Sequence, residues 1–153
     1  MRYHAFVLHN ISHDMFWGFR PETSRLEHAH TFVIVADNPG LATEVIWVLT
    51  NVDSADHLRL DYPHLAQYAE DVTLYRARRN RSLSVGDVVM LHAGEAFVTA
   101  QSCEKVGWKP YTEAELNLNV KGLEFSNEAP VSQAYRAMQK HLQQPARLPD
   151  VQD

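Results

Sequence analysis

The chain has 153 residues, 45% of them hydrophobic and 22% charged, which is the composition of one folded domain and excludes wholesale disorder. A formal net charge of −5 argues against broad, non-specific nucleic-acid binding by the whole surface. A single cysteine, Cys103, excludes an intramolecular disulfide and a cysteine-based zinc cluster, and it suits a reducing, cytoplasmic compartment. No apolar run approaches the roughly 18 residues that a bilayer span needs, so no membrane association is expected, and Met1-Arg2-Tyr3-His4 does not open a secretory leader.

Tyr3–Asn10 mixes aromatic, aliphatic and polar residues and reads as a first strand. Residues 11–29, with Gly18, Pro21 and many polar groups, read as a loop or insertion. Within it Met15, Phe16, Trp17 and Phe19 are too apolar for a freely solvated segment. Thr31–Ala36 is β-branched and aromatic, the pattern of a buried strand. Asn38-Pro39 opens a helix, because asparagine caps well and proline suits the first helical position. Leu41, Val45, Val48, Leu49 and Val52 define that helix's apolar face by spacing. A polar connection is expected over 53–62, a short helix over 63–70 and a strand over 72–76.

Gly86-Asp87 forms a turn into the strand Val88–Leu91. A hairpin over 92–95 returns the chain through Ala96–Ala100, and Lys105–Trp108 reads as one more short strand stopped by Pro110. Val131, Ala134, Tyr135, Met138 and Leu142 recur at helical spacing. The expected organisation is one α+β domain over 1–143, with a small mixed, mainly antiparallel sheet, two principal helices packed on it, and a disordered tail over 144–153.

The segment Ser82-Leu83-Ser84-Val85-Gly86-Asp87-Val88-Val89, then Phe97-Val98, then Val106-Gly107-Trp108, resembles the C-terminal half of YodL-like domains, over about residues 72–109. Those domains carry a Ser-Leu-Ser-Val-Ser-Asp-Val-Val signature, with serine where this chain has Gly86. The resemblance implies a protein of a phage, plasmid or conjugative element and attaches no firm catalytic role.

Two surface features point to binding. Phe16, Trp17 and Phe19 form an aromatic patch of the kind that anchors a protein partner. Arg76, Arg78, Arg79 and Arg81 gather four guanidinium groups beside Tyr75, a set able to grip phosphates or an acidic partner, or simply to solvate an edge strand. Nine histidines are many for this length. His28 and His30, two apart, fall on one face of a regular strand, but no zinc-protease spacing occurs and neither a metal nor a cofactor is expected. Nothing around Cys103, Ser82 or Ser84 matches a nucleophile's setting, and no phosphate-binding glycine loop is present. The expected function is a non-enzymatic binding protein of a phage or mobile genetic element that docks on a protein partner and inhibits, for example, a host defence factor. The alternative is a nucleic-acid-binding small barrel of PUA-like kind, using Arg76–Arg81.

Overall fold

The computed structural model describes residues 1–13 and 15–115. Five strands, β1 (Arg2–Asn10), β2 (Leu26–Val35), β3 (Val88–Ala93), β4 (Ala96–Cys103) and β5 (Trp108–Tyr111), form one sheet in the order β2-β1-β3-β4-β5. Three helices, α1 (Pro39–Asn51), α2 (Ala55–Asp61) and α3 (Ala69–Ala77), are inserted between β2 and β3. The fold is α+β. Every strand pairing is antiparallel, so the expected mixed sheet is a purely antiparallel one among the described residues. The predicted helix around 131–142, the boundary at 143 and the tail over 144–153 lie outside the described residues.

The alternation of β1 decides how the layers assemble. Tyr3, Ala5 and Val7 point to the helix side and pack with Phe32, Ile34, Val89 and Leu91 against Ala42, Ile46, Leu49, Leu58, Val72 and Tyr75. Phe6 and Leu8 point the other way and join Phe19, Leu26, Val88, Met90, Ala100 and Tyr111 in a second cluster. Both faces of the central strands are apolar, which is why β1 and β3 read as runs and not as a clean alternation.

Helix α1 starts where the sequence signals it, with Asn38 Oδ1 accepting from Leu41 N at 2.9 Å and Pro39 following. Its buried positions are Ala42, Thr43, Ile46, Leu49 and Thr50, so the inward face is rotated from the Leu41–Val45–Val48 stripe and Leu41 is exposed. The expected polar connection over 53–62 contains α2, capped by Ser54 Oγ, which accepts from His57 N at 3.1 Å. The expected strand over 72–76 is helix α3. Leu65, Tyr68, Ala69, Val72 and Tyr75 are all buried at spacings of three and four, a helical period that outweighs the strand preference of Val-Thr-Leu-Tyr.

β2 begins at Leu26, inside the expected loop, and β5 runs through Pro110 where a stop was expected at the proline. The Lys105–Trp108 segment is mainly the turn before β5. Among the described residues β5 is the edge strand, and proline is tolerated there because its missing N–H faces away from β4.

Candidate functional site

The pairings Asn10 with Leu26, Leu8 with Val88, Val88 with Ser102 and Cys103 with Trp108 bring the corresponding ends of all five strands together. The loop over 11–25, the β4–β5 turn and the approach to β3 therefore share one end of the sheet. That end carries all three tryptophans of the chain, Trp17, Trp47 and Trp108.

Trp17 sits in a short 3-10 turn, Met15–Trp17, and is 75% exposed. Phe16 contributes backbone to the same turn. The loop is pinned at its base: Ile11 N donates to Arg25 O at 2.8 Å, Arg25 N to Ser12 Oγ at 2.6 Å and Arg20 N to Ser24 Oγ at 2.8 Å. Phe19, expected among the partner-binding residues, is instead buried. Its ring meets Tyr111 edge to face, with centroids 5.4 Å apart. A side chain consumed in the core offers nothing to a partner; its role is to clamp the loop while Trp17, two residues earlier, stays outside.

Beside that loop lies the β4–β5 turn. Glu104 Oε2 is 3.3 Å from where a β-carbon on Gly18 would sit, and Glu104 N donates to Gly107 O at 3.0 Å. Val106, at the turn's tip, is 93% exposed. On the helix side Trp47 is exposed, and it meets Trp108 of β5 edge to face with centroids 6.2 Å apart. Sequence reasoning separated these residues because they lie on a helix, a strand and two loops; only the register of the strands shows them sharing one end.

The four arginines are not on an edge strand. They lie on the last turn of α3 and the segment that follows it. Arg76 turns inward: its guanidinium donates to Thr50 O at 2.8 Å and Val52 O at 2.9 Å, and to Asn80 O and Ser82 Oγ. It thereby closes the carbonyls left open at the C-terminal end of α1. Arg81 grips Asp87, which is fully buried, with Nη1 to Oδ2 at 2.5 Å and Nη2 to Oδ1 at 2.7 Å. Arg78 Nη1 lies 3.1 Å from His30 Nδ1. A guanidinium only donates, so Nδ1 accepts and Nε2 carries the proton toward Asp71 Oδ1 at 3.3 Å. Arg79 is exposed, with a positive φ of 61°.

Tyr75 OH donates its one proton to Arg81 O at 2.5 Å, so it accepts from His9 Nε2 at 2.9 Å. That bond suits either protonation state of the ring; burial is what keeps His9 neutral near pH 7, pushing its pKa down to about 4. His28 and His30 do not share a face. A bulge in the pairing with β1 sets His30 opposite Val7 and His28 opposite Leu8. The His30 ring consequently packs on Phe32 and Tyr75, and the His28 ring on Phe6. No group of three or more His, Cys, Asp or Glu side chains among the described residues is arranged to hold a metal ion. No helix of the described residues is long and apolar enough to cross a membrane.

The chain matches no family model, no characterised protein and no solved structure.

Proposed function

We propose that the chain is a non-enzymatic binding protein that docks on a protein partner through the tryptophan-bearing end of its sheet. One observation carries the reading: Trp17 is held three-quarters exposed on a loop that Phe19 clamps from beneath. An isolated exposed tryptophan wastes apolar surface, and one fixed in position binds without losing much freedom on association. Val106 and Trp47 are also exposed, and Trp108 half-buried, at the same end of the sheet. The resemblance to YodL-like domains supports an origin in a phage, plasmid or conjugative element and action in the cytoplasm on a host or element-encoded protein, a defence factor among the candidates.

Affinity capture with the tagged full chain, from lysate treated with nuclease, tests this. The wild type retains a stoichiometric protein partner and Trp17→Ala loses it, with the fold unchanged by circular dichroism. Capture that is indifferent to Trp17→Ala overturns the assignment of the surface. The alternative, phosphate binding through Arg76–Arg81, predicts retention of nucleic acid that falls steeply with salt. It is disfavoured by the internal engagement of Arg76 and Arg81.

A further inference from the structure

Trp47 and Trp108 come from different layers, one from α1 and one from β5, and meet at an interplanar angle of 87°. With Glu44, Cys103, Lys105 and Gly107 they line a pocket of about 230 Å³. Glu44 precedes Trp47 by three residues, so both project from one side of α1, and both are exposed. Glu104 also lines the pocket and accepts from Ser102 Oγ at 3.3 Å through one oxygen, while Glu44 is the acid that shares α1 with Trp47. Cys103, 4% exposed, contributes a neutral floor, because burial holds its thiol protonated.

The chemistry of this lining selects its occupant. Two perpendicular indoles present electron-rich faces, which attract a cation held over them. A carboxylate beside them adds a charge-assisted hydrogen bond, for which a planar guanidinium is the better-matched partner than an ammonium. The volume is below the roughly 300–1,000 Å³ of sites built for cofactors and drug-sized ligands and suits the head of one long side chain. The chain's net charge of −5 favours approach by a basic surface. Lys105 is the opposing feature on the rim; its flexible stem lets the ammonium swing clear, at some cost in affinity.

We propose that the Trp47–Trp108 pocket receives an arginine side chain presented by the partner protein. This rests on the docking reading above and names the chemistry of the contact.

The test uses the full chain and N-acetyl-argininamide as probe, followed through the three indole N–H resonances, assigned by single Trp→Phe variants. Titration moves the Trp47 and Trp108 signals and leaves Trp17 in place, saturating on the order of millimolar, as expected for one side chain without its protein. Glu44→Gln weakens the probe about threefold and Lys105→Gln tightens it about twofold, the scale of a single exposed charge contact. N-acetyl-norleucinamide, which keeps the stem and lacks the charge, moves neither signal. Unmoved Trp47 and Trp108 resonances, an equal response to the norleucine probe, or equal affinity for N-acetyl-lysinamide each overturn the assignment. If Trp17→Ala abolishes partner capture while argininamide moves nothing, docking stands and the arginine pocket falls. If argininamide binds as described and no protein is captured, the docking reading falls and the pocket's chemistry stands.

Discussion

Arg81 and Asp87 form a two-pronged ion pair whose acidic half is wholly buried. Asp87 also accepts from Asn10 N and Ser84 N, each at 2.8 Å, so one carboxylate ties the end of β1, the segment after α3 and the start of β3. The hydrogen bond to Asp87 raises the Arg81 pKa further. Removing the arginine leaves a buried carboxylate without its counter-ion, the costly way to break such a pair. The arginine is 39% exposed, so Arg81→Met is expected to lower the unfolding free energy by about 2–3 kcal/mol, below the cost of breaking a fully buried pair, read from urea denaturation. A loss under 1 kcal/mol would show that water reaches Asp87 freely.

Gly86, next to it, has a φ of +92°, and a β-carbon there would lie 2.6 Å from Met15 O. That oxygen is backbone of the Trp17 turn and also accepts from Gly18 N, so it has little room to move. Gly94, in the β3–β4 turn, has a φ of +61° with nothing within 4 Å of the same position. Gly94→Ala therefore carries the conformational cost alone, about 1 kcal/mol. Gly86→Ala adds a clash and is expected to cost at least about twice as much. Thermal denaturation of the two variants side by side measures the difference; equal midpoints would contradict the packing of the Trp17 turn on Gly86.

The contrast between these glycines bears on what sequence alone conveys. A turn at Gly86-Asp87 is legible, since glycine followed by a self-bonding aspartate signals one. Its partners are not: Asn10 reaches it from 77 residues away, and Arg81, six residues before it, meets Asp87 only because the segment after α3 folds back. The helix start at Asn38-Pro39 is equally local and equally legible. By contrast Val72–Arg76 satisfies a strand pattern, and only its continuity with Leu65 and Tyr68 restores the helical period. The binding surface is the extreme case. Trp17 is visible as an apolar residue in a polar loop, whereas Phe19, of the same local character, is core. Nothing local separates them; the ring of Tyr111 does.

Neutral histidines make the fold sensitive to acid. Burial pushes His9 and His92 each to about 4; at His9 the charges of Asp87 and Glu27 oppose this and Arg81 assists, while at His92 the nearby Glu95 backbone opposes it and His4 assists. The unfolded chain protonates these rings near 6.5, so between about 6.5 and 4 it binds more protons than the folded one. Stability from this source is complete above about pH 6.5 and is lost as pH falls toward 4. The two rings together are expected to remove several kcal/mol, on the order of 3 kcal/mol each. Urea unfolding from pH 7.5 to 4.5 reads the slope, and His9→Gln is expected to flatten it by about half. A flat profile in the wild type would mean that water reaches both rings.

Cys103 supplies a probe of opening at the tryptophan end. Cys103 is buried and lines the pocket shared with Trp47 and Trp108, and burial raises its pKa to about 11, with Asp87 and Glu104 adding to the shift. At pH 8 almost none of it is thiolate, the reactive form. Alkylation by iodoacetamide is expected to run at least about a hundredfold slower in the folded chain than in urea, where the thiol returns to its ordinary pKa near 8.5. Trp47→Ala uncovers the pocket floor and is expected to speed labelling well beyond the change in global stability that urea unfolding reports. Labelling of the variant that follows global unfolding alone would mean that Trp108 and the β4–β5 turn cover the thiol without help from α1.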